Sequence, residues 1–95
     1  MLQYKAGFKF VDGGVHAQVT DFPAAITCAD SLTEARHLLA VALLDVAEAA
    51  LEAGLALPVP NPRTSDPEMD IEEPIYLHLH VSFEVQEVPK GVVVP

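Results

Sequence analysis

The sequence predicts an α+β fold, in which a small antiparallel sheet with the element order β-β-β-α-β carries one long helix packed on one face. Apolar residues occupy every second position over residues 2–10 and 15–19, which is typical of half-buried strands. An Asp-Gly pair at residues 12–13 separates these strands and suits a tight hairpin turn. Residues 30–54 instead repeat apolar residues at helical spacing, and strict alternation returns over residues 75–85.

The predicted helix has a start signal and a stop signal. Ser31 and Glu34 form a capping box, in which the serine accepts a hydrogen bond from the Glu34 amide and the glutamate reaches back. Gly54 tolerates the left-handed backbone that often ends a helix, and Pro58 and Pro60 prevent its continuation. The main apolar face consists of Leu32, Ala35, Leu39, Ala42, Leu43, Val46 and Ala50.

A second apolar stripe flanks this face and widens the apolar arc beyond half of the helix circumference. The stripe consists of Ala40, Leu44, Ala47 and Leu51. One sheet surface cannot cover so wide an arc, so a second element or another chain must pack there. We expect a homo-oligomer, most simply a twofold dimer, and the alternative is cover from the C-terminal valines or from the long loop.

The remaining segments complete the predicted order. A short third strand is expected over Ala24–Cys28, after Phe22-Pro23 interrupts the preceding alternation. Residues 58–74 contain five prolines and many acids, and we predict an extended, largely solvated loop there. The final strand is expected over Ile75–Val85. One domain spanning residues 1–95 is predicted, without a C-terminal DNA-binding domain.

Composition narrows the possible functions. The chain has 95 residues, of which 51% are hydrophobic and 20% charged, and its formal net charge is −9, so it is not a disordered chain. So acidic a surface disfavours direct nucleic-acid binding and suits a basic protein partner. Cys28 is the single cysteine, which excludes an intramolecular disulfide and favours a reducing, cytoplasmic location. Charges interrupt the helix well short of the roughly 20 apolar residues of a membrane span.

Several short motifs, in this order, resemble the HicB family of antitoxin-like proteins. They are Asp12-Gly13-Gly14-Val15, Asp21-Phe22-Pro23, Ile26-Thr27, the helix entry Asp30–Ala35, and the helix exit Leu57-Pro58-Val59-Pro60-Asn61-Pro62. The chain departs from the family pattern at Ala24, Ala25 and Ala29, where the family usually has glycine or cysteine. The resemblance covers about residues 4 to 62.

The resemblance implies a partial ribonuclease-H-like fold and a non-enzymatic role. It implies that the protein binds and occludes a small, basic, RNA-cleaving toxin of the HicA type. The alternative is an orphan homo-oligomeric module of this type that has no toxin and binds another protein or a small ligand. Neither reading requires a cofactor.

The candidate partner-binding residues lie in the acidic run, where two apolar residues are interleaved with the acids. They are Asp66, Glu68, Met69, Asp70, Ile71, Glu72 and Glu73. Acids suit a basic nucleic-acid-binding surface, and Met69 and Ile71 are candidate anchors in a partner groove. The alternative is a solvated linker whose charges maintain solubility.

Metal binding and catalysis are not expected. His78 and His80 share one strand face and His16 projects similarly from its own strand, but no spacing supplies a third metal ligand. Nuclease chemistry needs carboxylates clustered around divalent ions, and residues 4–10 contain no acid. We therefore predict no catalytic and no metal-binding residues.

Overall fold

The computed structural model describes residues 1–79. The elements are β1 (Leu2–Val11), β2 (Gly14–Val19), β3 (Phe22–Ala29), α1 (Leu32–Glu52) and β4 (Ile71–Leu77). The four strands form one antiparallel sheet in the order β3-β2-β1-β4. The predicted α+β fold and the order β-β-β-α-β are therefore confirmed.

The hydrophobic core lies between α1 and one face of the sheet, and the helix packs mainly against β3 and β2. The largest fully buried side chains come from both layers and are Phe8, Val19, Leu39 and Leu43. The remaining buried apolar side chains are Tyr4, Ala6, Val15, Ala17, Phe22, Ala25, Ala35, Ala47 and Leu77. No helix among residues 1–79 is long and apolar enough to cross a membrane.

Both ends of α1 satisfy their backbone groups locally. Ser31 Oγ accepts from the Glu34 N–H at 3.1 Å, and Glu34 Oε1 accepts from the Asp30 N–H at 3.0 Å. This is the predicted capping box, except that the Glu34 carboxylate accepts from the N–H of Asp30 and not from that of Ser31. At the other end Gly54 adopts a φ of +78°, and its N–H and that of Leu55 bond back to helix carbonyls in a Schellman motif.

Strand β4 begins earlier than the alternation predicts. It starts at Ile71, so residues 71–74 belong to the sheet and not to the predicted loop over 58–74. Pro74 breaks the local strand pattern, but among residues 1–79 β4 is an edge strand, and proline is tolerated where one side of a strand makes no ladder hydrogen bonds. Residues 80–85 of the predicted strand and the terminal valines lie outside the described residues.

Strand β3 is also longer than predicted. It begins at Phe22 instead of Ala24 and includes Pro23, which is tolerated because β3 forms the opposite edge of the sheet. A register shift between Gln18 and Val19 absorbs the extra residues, and Gln18 Nε2 donates to the Pro23 carbonyl at 3.1 Å.

Substitution of two adjacent leucines tests how α1 sits on the sheet. Leu39 is 0% exposed and Leu38 is 36% exposed. We expect Leu39→Ala to lower the free energy of unfolding by about 2–5 kcal/mol, because it leaves a cavity in the core. Leu38→Ala, the matched control, should cost less than about 1 kcal/mol, as surface changes do. Urea denaturation of the two variants measures the difference, and equal losses would contradict this packing.

Candidate protein-binding surface

The acidic segment, residues 66–73, is folded against β1 instead of extending into solvent. Its anchor is Met69, which packs over Gly7 so closely that a Cβ at Gly7 would lie 2.6 Å from Met69 Cγ. The Asp70 N–H then donates to the Phe8 carbonyl at 2.8 Å, and β4 begins at the next residue. A glycine in β1 therefore makes room for the segment that precedes β4.

Glu72 closes the turn that precedes β4. Its carboxylate accepts from the Asp66 N–H at 2.8 Å and from Ser65 Oγ at 2.9 Å. These two hydrogen bonds, with Lys5 nearby, lower the pKa of Glu72 despite its partial burial. Glu72 is therefore a structural acid that holds the turn.

The proline-rich stretch before the acidic segment is held by side chains of the sheet. Lys5 Nζ donates to the Pro62 carbonyl at 3.2 Å and also to the Thr64 carbonyl. The Asn61 N–H donates to Asp21 Oδ2 at 2.6 Å. These contacts enclose a small cavity of about 170 Å³ beside the start of β1.

A tyrosine fixes the exit of the helix to the core. Tyr4 OH donates to the Pro58 carbonyl at 2.6 Å, and its ring packs against Phe22 with centroids 6.0 Å apart. Burial, with a smaller contribution from Asp21, raises the pKa of Tyr4. The phenol therefore stays protonated and keeps its role as donor.

Glu73 joins β4 to the helix. Arg36 Nε and Nη2 each donate to its carboxylate at 2.9 Å, which makes a two-bond pair. This pair raises the pKa of Arg36. Glu72 and Glu73, both predicted as partner-binding residues, are thus engaged within the chain.

The carboxylates directed to solvent are those at the beginning and the middle of the acidic segment. The Glu68 side chain is 78% exposed and lies 3.9 Å from Lys9 Nζ. Asp66 uses one oxygen, Oδ1, to accept from the Glu68 N–H at 2.9 Å. Asp70 likewise uses Oδ2, which accepts from the Phe10 N–H at 2.7 Å. Internal hydrogen bonds therefore hold the carboxylates of Asp66 and Asp70 in place, whereas that of Glu68 makes only the distant contact with Lys9.

An exposed aromatic residue, not predicted from the sequence, lies beside these acids. Phe10 continues the alternation of Tyr4 and Phe8, which predicts a core position, yet it is 50% exposed. The reason is that β4 starts opposite Phe8, so β1 extends beyond its neighbour and leaves Phe10 uncovered. We call this strand end, formed by Phe10 with Asp66, Glu68 and Asp70, the acidic corner. Asp70 lies next to Phe10 through the bond to its N–H, whereas Glu68 lies beside Lys9, whose side chain alternates to the other face of β1. The exposure of Phe10 could have been predicted only with knowledge of the residue at which β4 begins.

The two apolar candidates of the acidic segment are partly used by the fold. Met69 and Ile71 are both half-buried, Met69 against Gly7 and Ile71 against the core. Neither presents a full side chain to solvent, and their anchoring role in a partner stays a prediction.

The predicted helix stripe is divided by the fold. Ala47 is fully buried against the sheet and Leu44 is half-buried, so neither presents a full side chain to another chain. Ala40 and Leu51 are exposed. Self-association through this stripe stays a prediction.

The histidines do not come together with other metal ligands among residues 1–79. His16 is exposed on β2 opposite Cys28, and His78 is exposed just after β4. No group of three His, Cys, Asp or Glu side chains in this part of the chain is arranged to hold a metal ion. His80 lies outside the described residues.

The fold is similar to that of a solved antitoxin domain. The crystal structure of the N-terminal domain of the Burkholderia pseudomallei antitoxin HicB superposes with a TM-score of 0.68. The match covers 82% of this chain and 100% of that chain, at 15% sequence identity. The chain has the HicB fold. No model of a known protein family matches the sequence, and neither does any curated sequence.

The HicB fold gives the acidic corner its position. The corner lies where β1 projects beyond β4, at the side of the sheet opposite β3. The main helix contacts are with β3 and β2, so α1 does not cover it. The arrangement suits contact with a protein surface, because acids and an exposed ring are presented on a rigid strand end.

Acid should weaken the turn closed by Glu72. Its pKa is lowered from 4.5 on folding, so its hydrogen bonds stabilise the protein fully above about pH 4.5, and this contribution is lost as the pH falls through the depressed pKa. We expect Glu72→Gln to lower the free energy of unfolding at pH 7, and the difference from wild type to shrink below pH 4.5.

Urea denaturation at pH 7 and at steps down to pH 3 measures this difference. Glu48→Gln is the matched control, because Glu48 is exposed on α1 and the substitution removes the same charge. A difference for Glu72→Gln that stays constant with pH would contradict the assigned role.

Proposed function

We propose that this protein is a non-enzymatic antitoxin of the HicB type, which binds a small basic RNA-cleaving toxin and occludes it. The observation that carries the proposal is the acidic corner, in which Asp70 is bonded to the backbone of the exposed Phe10 and the solvent-exposed Glu68 lies beside the neighbouring Lys9. The HicB fold supports it, because the similar solved domain belongs to an antitoxin.

The charge of the chain supports a basic partner. The chain has 14 acidic residues and five lysines and arginines, so its electric field attracts a positively charged protein as the two molecules diffuse together. Complementary charge raises the association rate and selects partners, whereas a central aromatic residue supplies much of the affinity. At the acidic corner the exposed Phe10 and the adjoining Asp70 place an aromatic residue and a carboxylate at the same strand end.

The proposed mechanism is steric and electrostatic. The corner covers the basic RNA-binding face of the toxin, and its carboxylates take the place of RNA phosphates as partners of the toxin's lysines and arginines. Because Asp66 and Asp70 are already oriented by backbone hydrogen bonds, these two side chains lose little freedom on binding. Such an inhibitor acts in the compartment of its toxin, which we propose to be the cytoplasm.

A second candidate function is an orphan homo-oligomeric module that binds another protein or a small ligand. The cavity beside the start of β1, lined by Lys5, Asp21 and Asn61 among others, is the observation that favours it. Its volume of about 170 Å³ is small beside the roughly 300–1,000 Å³ of drug-sized sites. We therefore rank it second.

Co-expression distinguishes the two candidates. We expect this chain to restore growth to cells that express the small basic protein encoded beside it, and to co-purify with that protein. Failure of both rescue and co-purification would reject the antitoxin function.

Phe10 should be the main anchor of the complex. We expect Phe10→Ala to weaken toxin binding by about 2 kcal/mol, roughly 30-fold in Kd, because buried aromatic anchors dominate interface energetics. Tyr76→Ala is the matched control, since Tyr76 is a 48% exposed aromatic residue on β4, paired with Gln3 at the far end of β1. Isothermal titration calorimetry measures both, and equal losses would reject the acidic corner as the contact.

A further inference from the structure

Among residues 1–79, the two edge strands of the sheet differ in their capacity to pair with another strand. On β4, Pro74 lies opposite Lys5, whose carbonyl accepts from the Thr20 N–H on the other side at 2.9 Å. Backbone bonds alternate in direction along an antiparallel strand, so the backbone of Pro74 faces the free edge. Proline has no N–H to donate, and this edge is therefore blocked at its centre.

The edge formed by β3 has no such block at its centre. Because Thr20 donates to Lys5, the even-numbered residues of β2 direct their backbone groups towards β1. Their partners in β3 are Ile26 and Cys28, whose N–H and C=O groups consequently point away from the sheet. Pro23 lies outside this central stretch.

The side chains of this edge are uncharged and include an exposed apolar residue. No residue from Phe22 to Ala29 carries a charge. Ile26 is 56% exposed, and Cys28 beside it on the same face is also exposed. An uncharged edge strand with free backbone groups is a template for strand pairing, and sheet proteins ordinarily protect such edges with charges or proline.

We propose that β3 pairs antiparallel with β3 of a second copy of this chain, so that two sheets join into one of eight strands. The net charge of −9 opposes pairing of two copies, and this opposition is smallest at an edge that carries no charge. A basic partner would find no carboxylate on this edge, whereas a second copy offers an equally uncharged strand that is complementary to it about a twofold axis. The contact involves only copies of this chain, so it holds whatever partner the acidic corner binds.

The register follows from the backbone directions. The twofold axis passes beside Thr27, which places Ile26 opposite Cys28 of the second copy and Cys28 opposite its Ile26. Asp30 then lies opposite Ala24 of the second copy, so no two acids are placed directly across from each other. The contact is self-complementary, as a closed dimer requires.

A charge placed at the centre of the edge tests the interface. Size-exclusion chromatography with light scattering should give wild type about twice the chain mass of 10.2 kDa. Ile26→Lys should be monomeric, because the lysine of each copy would lie opposite the uncharged Cys28 of the other copy, with no carboxylate to pair with it. Leu51→Lys, at a 44% exposed site of the helix stripe, should remain dimeric. Circular dichroism verifies that both variants are folded.

Any other pattern overturns the proposal. A monomeric wild type excludes the dimer, and a dimeric Ile26→Lys excludes this edge as its interface. Loss of the dimer in Leu51→Lys with its retention in Ile26→Lys assigns self-association to the helix stripe. If wild type is monomeric and its β3 edge pairs only with a strand of another protein, the edge is a binding site for that protein and not a dimer interface.

A cysteine pair tests the register. Directly opposite residues have Cα atoms about 5.5 Å apart, within disulfide range, and diagonal ones lie about 7–8 Å apart, beyond it. Oxidation should therefore link Ile26→Cys through its native Cys28 into a covalent dimer. Wild type and the double variant Ile26→Cys/Cys28→Ser should stay unlinked on non-reducing gels. An unlinked Ile26→Cys, or a linked wild type, overturns the register.

Discussion

The start of β4 is the constraint on which the exposure of Phe10 and the position of the acidic segment depend. Asp70 fixes it twice, because its N–H bonds to the Phe8 carbonyl and its carboxylate accepts from the Phe10 N–H. The first bond sets the register of β4 against β1. The second satisfies a backbone donor of β1 that no strand covers. The end of one strand thus determines which residues of its neighbour stay exposed.

Acidic residues serve two purposes in this chain, and their neighbours decide which. Glu72 and Glu73 find donors within the fold, in a turn and on the helix, and therefore tie the segment to the sheet. The Glu68 carboxylate lies 3.9 Å from Lys9 Nζ and is exposed at the surface. The same run of acids consequently contains residues that stabilise the fold and a residue whose charge stays at the surface, and the choice between binding surface and solvated linker stays a prediction.

The sequence predicts the parts of the fold that local rules determine. The helix ends at Ser31 and Gly54 follow from capping chemistry, and the hairpin at residues 12–13 from turn chemistry. Local rules fail where topology decides. Pro23 and Pro74 break the strand pattern locally, yet both are allowed because their strands lie at the edges. Phe10 fits the buried pattern but lies past the end of its neighbour. Neither fact is available before the strand order is known.

The strand order also separates the two proposed contacts. The edge that pairs with a second copy is β3, whereas the acidic corner belongs to β1 and the loop before β4, on the other side of β2. Extending the sheet at β3 therefore leaves the acidic corner of each copy uncovered. Since Pro74 blocks the edge next to the corner, strand pairing does not compete there with partner binding. The two proposed contacts are therefore compatible in one assembly, because pairing at β3 uses no residue of the acidic corner.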